Sequence, residues 1–208
     1  QIKASAADRK VVAKEMNDFQ HQLATATDPS GVISKSGSEI AYLGLPVSSK
    51  AYQQYPDIAS KIDSLSVGTT GVFENSQDNT LNVIRVFSKA QLPDSVQFRQ
   101  ISVGAATPDE ARAKADSIQK ALAGGADFEA LAKRYGQTGE KAWFTGQQYE
   151  MAPTMSVDNR TFVNALLNGE VNATQNLALT QGNVILQVLD KKAFTTKTTA
   201  AIIKKPID

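Results

Sequence analysis

Cysteine is absent from the 208 residues, and histidine occurs once, as His21. Such a chain has no disulfide, thiolate metal site or thiol nucleophile. The shortage of imidazole also removes most zinc sites and any Ser-His-Asp triad not built on His21, a residue expected on an exposed helix face. A lack of cysteine fits an oxidising compartment as well as a reducing one. No charge of one sign dominates: 22 basic and 21 acidic side chains leave a formal charge of +1. That argues against nucleic acid as a partner, because phosphate-backbone binding needs clustered positive charge. No apolar run approaches the ~18 residues of a membrane span, so no membrane contact is expected within this stretch. No signal-peptide pattern opens it. The chain begins at Gln1, has its first methionine at position 16, and reads as an internal fragment. There is no glycine-rich phosphate loop and no nucleophile–base pair at a recognisable spacing. A phosphate-binding enzyme or a hydrolase is therefore not expected, and neither a cofactor nor a metal is called for.

The residues present are enough for one or two domains, with 41% of them hydrophobic. Val12, Met16, Phe19 and Leu23 form an apolar stripe that predicts a helix over about 5–25. The "DPSG" at 28–31 signals a turn, and residues 31–50 are rich in serine and glycine around the apolar "IAYLGL" (40–45). A short helix is predicted near 56–66 and a strand at "LNVIRVFS" (81–88), after which "KAQLPDS" (89–95) reads as a linker. "VQFRQISV" (96–103) predicts a second strand. Thr107, Pro108 and Glu110 then mark a helix start with a capping box, and Gly124-Gly125 mark its end. Asp127 caps a short helix that Gly136 stops, with Phe128, Leu131, Ala132 and Tyr135 on one face. "KAWFTG" (141–146) predicts an edge strand, and a helix follows near 158–167. A hairpin at 173–190 turns around Gln181-Gly182-Asn183, and "AAIIKKPID" (200–208) reads as one more strand whose lysines discourage edge pairing.

The two halves resemble each other. With Ala41-Tyr42-Leu43 aligned on Ala142-Trp143-Phe144, the same offset carries Leu65 onto Leu166 and Gly68 onto Gly169. One residue more carries "VIRVFSK" (83–89) onto "ILQVLDK" (185–191). An internal duplication is expected. The first copy shows no evident counterpart of strand 96–103.

The second half is similar to a parvulin-type (PpiC-type) peptidyl-prolyl cis-trans isomerase domain. Its "RQISV" (99–103), "AGGADFEALAKRYG" (123–136), "KAWF" (141–144), Met151, "NGEVNATQ" (168–175) and "GNVILQV" (182–188) follow the family's order of blocks over about 93–193. The first half resembles a more decayed copy, and the tandem arrangement resembles SurA- and PpiD-type periplasmic foldases. The resemblance implies an α+β fold. Two tandem parvulin-like units are expected, each a small, mostly antiparallel sheet of about four strands backed by helices. The boundaries fall at 1–92 for a degenerate, N-terminally incomplete unit, 93–193 for the parvulin-like domain, and 194–208 for the start of a following segment.

The resemblance also implies a chemistry. Rotation about an X–Pro bond faces a barrier of ~18–20 kcal/mol, and the family lowers it by binding the twisted amide in an apolar pocket beside two core histidines. Here the histidine positions are Gln100 and Val184, and the loop that carries the family's Asp or Cys is cut to "GQTGEK" (136–141). Weak or lost isomerisation is expected. The apolar residues Trp143, Tyr149, Met151, Met155 and Phe162 are the candidates for a peptide groove, since methionine suits surfaces that accept varied sequences. The partners implied are unfolded or extended polypeptide clients in the periplasm or another extracytoplasmic space, with any membrane anchor outside this stretch. Two alternatives stand beside this reading: an active isomerase that uses Gln100 as its polar contact, and a structural self-association or partner-binding module.

Overall fold

Helices begin where the sequence supplies a cap. Ser5 and Asp8 close a full capping box at the start of α1 (Ala6–Thr25), each side chain taking up the other's backbone N–H. Thr107 accepts from the N–H of Glu110 at the head of α4 (Pro108–Ala123). Asp127 accepts from Ala130 at α5 (Phe128–Arg134), and Ser156 from Asn159 at α7 (Val157–Asn168). The computed structural model describes residues 4–68, 70–152 and 154–207. It adds a helix where a turn was expected. Asp28 bonds the backbone and hydroxyl of Ser30, and α2 (Ser30–Ser36) runs from there to Gly37, whose φ of 69° ends it. A 3-10 turn (Ser49–Tyr52), α3 (Pro56–Ser64) and α6 (Gln147–Glu150) complete the helices.

The sheet is built on two long strands, β2 (Thr80–Val103) and β5 (Gly182–Pro206), which are neighbours. β1 (Thr70–Asn75) pairs antiparallel with the start of β2, Thr70 opposite Arg85. β4 (Thr174–Leu179) pairs antiparallel with the start of β5, Thr174 opposite Gln187. β3 (Ala142–Thr145) pairs with β2 at Ser95 to Phe98. The architecture is α+β with a mostly antiparallel sheet backed by helices. Segment 89–95, expected as a linker, lies inside β2. Pro93 forfeits one N–H, but its neighbours find partners: the Asp94 carbonyl accepts from Gly146 N–H at 2.8 Å, and the Asp94 carboxylate accepts from the Thr195 hydroxyl.

The chain divides into two compact units, Gln1–Gln91 with Glu150–Thr154 and Thr196–Asp208, and Leu92–Tyr149 with Met155–Thr195. In the second unit, β2 and β5 alternate their side chains between two cores. Ile101, Val103 and Ile185 meet Ala115 and Ile118 of α4 and Phe128 and Leu131 of α5. Val96, Val184, Leu186 and Val188 meet Ala165 and Leu166 of α7 on the opposite face.

The first unit repeats the scheme within itself. Val83, Ala201 and Ile203 pack on Met16 and Leu23 of α1 and Ile33 of α2, while Ile84, Val86, Ala200 and Ile202 pack on Ile58 and Ile62 of α3. The closing residues, read from the sequence as the start of a following segment, are thus the end of β5 and a core strand of this unit. Ala200, Ala201, Ile202 and Ile203 are buried in succession, the unbroken apolar run that a strand covered on both faces requires. Residues 39–47 lie along it, with Glu39 N–H on the Lys204 carbonyl and Val47 bridged to Thr198.

Candidate functional site

On the α7 side of the second unit's sheet, the alternation of β2 places Gln100 on the face that also carries Val96 and Phe98. Val184 lies on that face from β5 and is 8% exposed, while Gln100 is exposed. Phe162 of α7 meets Phe98 edge-on, ring centres 5.6 Å apart. The face is apolar, and neither Gln100 nor Val184 can act as an acid, a base or an imidazole. Being exposed, Gln100 needs no buried partner.

The short loop 136–141 does structural work here. Gln137 presents its amide to β2, accepting the N–H of Ser102 at 2.8 Å and donating to the Ser102 carbonyl at 2.7 Å. One side chain thereby supplies the pair of bonds that a neighbouring strand would make, on a stretch of β2 that β3 does not reach. At the far end of the face, Asp158 of α7 accepts from both the N–H and the hydroxyl of Thr180, which ties α7 to the β4–β5 turn.

The groove candidates separate. Phe162 belongs to the apolar face. Met155 is half-buried in the same unit. Trp143 points to the opposite side of β3 from Phe144, is 42% exposed, and has Lys192 Nζ 4.9 Å from its ring. Tyr149, expected to line a groove, is fully buried because its ring stacks on Phe144 at 5.7 Å. Met151, half exposed, falls in the first unit, where Gln53 Nε2 lies 3.8 Å from its sulfur.

Met151 there borders a cleft of about 200 Å3 with Ile40, Leu43, Tyr52 and Tyr55. Glu150 lines the cleft too, and its carboxylate is held by Lys197 Nζ at 2.6 Å, Ser48 N–H at 3.0 Å and the Ser48 hydroxyl at 2.7 Å. Burial raises the pKa of this carboxyl, but the bonds from Lys197 and Ser48 outweigh it, and the group titrates below the ordinary glutamate range. Burial, with a smaller push from Tyr42, lifts the Tyr52 phenol to about 12. A second buried cation, Lys204, reaches Asp78 at 2.6 Å, Thr80 at 3.0 Å, Asp57 at 3.6 Å and Asn82 at 3.4 Å. The pair leaves Asp78 with a lowered pKa: desolvation raises it, and the bonds from Lys204 and Thr80 bring it down further. Neither lysine announces itself in the sequence, because every partner lies far away along the chain. His21 is exposed on α1, its Nδ1 2.8 Å from the Asn17 carbonyl. Among the described residues no three His, Cys, Asp or Glu stand together as a metal site, and no helix is long and apolar enough to cross a membrane.

A family model described as the PPIC-type PPIASE domain matches residues 81–192, more than half of the chain. The chain belongs to the PPIC-type peptidyl-prolyl isomerase family. The match runs from the start of β2 to the middle of β5 and covers nearly all of the second unit, so the family is matched once and not as two tandem domains. No curated protein and no solved structure matches the chain. The structure places Gln100 and Val184 on one sheet face, together with Val96, Phe98, Leu186 and Val188.

Proposed function

We propose that this PPIC-type domain binds unfolded or proline-containing polypeptide as part of an extracytoplasmic folding factor of the SurA or PpiD kind, with isomerisation weak or lost. The observation that carries the reading is the exposed Gln100 beside the apolar Val184, Phe98 and Phe162. The face keeps apolar surface for a client and lacks the imidazole pair that shapes the family's reacting site. Binding both planar forms and the twisted form equally well would hold a client without speeding rotation.

The first unit reads best as a diverged second copy of the same domain. Val83 and Ile185, Ile84 and Leu186, Val86 and Val188, and Ile101 and Ile203 are pairs of one constant spacing, and the two members of each pair face corresponding cores. By that spacing, Asn82 and Ile202 stand where Val184 and Gln100 do, and Asn82 is buried against Lys204. The copy's site is filled by its own side chains.

A proline-tetrapeptide isomerisation assay tests the catalytic half of the proposal. The expected kcat/KM lies at or below the bottom of the usual enzyme range, about 10^4 M−1 s−1. In parallel, a photocrosslinker in place of Phe162 should capture a reduced, unfolded client and not its folded form. Fast turnover that Gln100→Leu abolishes would instead establish the active-isomerase alternative, which the exposed amide of Gln100 favours. Absence of client crosslinking would leave a self-association module.

A further inference from the structure

We propose that the cleft on the α4/α5 side of the second unit is a carboxylate-binding site anchored by Arg99. This face is opposite to the one that carries Gln100. The guanidinium lies over the buried ring of Phe128, 4.4 Å from its centre. Its Nε donates to Oε1 of Gln187 at 2.8 Å, and Gln187 in turn donates through Nε2 to the Asn172 carbonyl at 3.0 Å. A ring beneath and an amide at the edge therefore fix both the plane and the rotation of the guanidinium. Its two terminal nitrogens have no protein partner among the described residues, and no carboxylate pairs with it.

Arg99 borders a cleft of about 470 Å3 with Leu122, Asp127, Asn172 and Thr174. A rigid, planar fork with free terminal N–H groups matches a carboxylate, which accepts two parallel bonds from it. Asp127 adds one negative charge to the wall while its side chain holds the Ala130 N–H. That charge opposes a dianion such as phosphate more than it opposes a monoanion. Ligands of this chemistry are the C-terminal carboxylate of a polypeptide or the side chain of an aspartate or glutamate in one.

NMR of the intact protein tests the site through the Arg99 Nε–H resonance, with sodium acetate as the first probe. Three peptides follow: one with a free C-terminal acid, its C-terminal amide, and an amide carrying an internal glutamate. The expected result is a saturable shift with acetate, and binding of the free acid about tenfold or more tighter than of the amide, as loss of a charge-assisted pair implies. Binding of the internal-glutamate peptide extends the ligand to side chains, and its failure restricts the ligand to chain ends. Arg99→Lys, which keeps the charge and loses the fork, should weaken the free acid about fivefold or more. Equal affinity for acid and amide, no saturable shift, unchanged affinity in R99K, or phosphate binding above acetate would each overturn the assignment. The wild-type titration decides the matter even where R99K folds poorly.

Discussion

Lys197 and Lys204 sit in the same strand of the first unit, and both are buried. A buried ammonium is tolerable only when paired and hydrogen-bonded, and each lysine meets that condition with groups brought from elsewhere in the chain. For Lys197 the counter-charge is Glu150, whose second oxygen is taken by Ser48. Lys197→Met leaves the carboxylate buried with Ser48 alone, and a loss of about 3–5 kcal/mol is expected in a denaturant titration. Glu150→Leu made together with Lys197→Met should recover much of that loss, because no stranded charge remains. The pair also sets an acid limit. The folded-state pKa of Glu150 lies below its unfolded value, so its contribution is fully present above the unfolded value and fades as the pH drops through the folded one. A stability profile from pH 7 down to 3 should fall more steeply for wild type than for the Glu150→Leu, Lys197→Met double variant. Residues of this kind were illegible beforehand. "IIKK" looks like an edge with solvated charges, and only the fold shows Lys204 buried against Asp78 and Lys205 paired with Glu15 at 2.6 Å.

At the scale of the element, the readable signals were those whose physics is local. Helix caps, the glycine stops and the i, i+3, i+4 stripes placed α1, α3, α4, α5 and α7 to within a few residues. α2 leaves little trace in the sequence, because a seven-residue helix with serine at both ends carries almost no stripe. The unity of β2 is not legible in the sequence, because Pro93 and the polar residues around it imitate a linker, while the partners of Asp94, Gly146 and Thr195, lie far along the chain. Of the candidate groove, the apolar character of Phe162 was legible. The burial of Tyr149 was not, since it depends on stacking with Phe144. The hairpin glycine reads as a turn residue, yet its main constraint is tertiary. Gly182 has φ of +143°, and a Cβ there would collide with the carbonyl oxygen of Val103. Gly182→Ala should cost about 1–3 kcal/mol from strain at this φ together with displacement of the strand, measured as a lowered Tm. Gly71→Ala in β1 has nothing within 4 Å of the added methyl and a negative φ, so it should be neutral or stabilise by up to about 1 kcal/mol. Equal effects from the two substitutions would show that Gly182 is not held against Val103.

For the molecule as a whole, the order of elements along the chain is not the order in which they complete their sheets. In the second unit a strand of β2 comes first, then α4, α5, β3, α7, β4 and the start of β5. In the first unit the strand that completes the sheet is the last part of β5, while α1, α2, residues 39–47, α3, β1 and the start of β2 come before it. Under the proposed correspondence of the two units, this strand from the far end of the chain stands for the one the first half lacks at its N-terminal side. The residues from 196 on give Ala201 and Ile203 to the core under α1, and Ala200 and Ile202 to the core under α3. They also carry both buried lysines. Truncation after Thr195 therefore removes a central strand from the first unit and leaves the second with every core residue it has. Limited proteolysis of the truncated chain should cut rapidly within residues 4–91 and spare 96–190. A peptide spanning 196–208, added in excess, should restore protection by refilling the gap between β2 and residues 39–47, since the strand contributes apolar burial on both faces as well as backbone pairing. Protection of 4–91 without the peptide would mean that the first unit closes its sheet by some other strand, and the proposed correspondence between the two units would then fail.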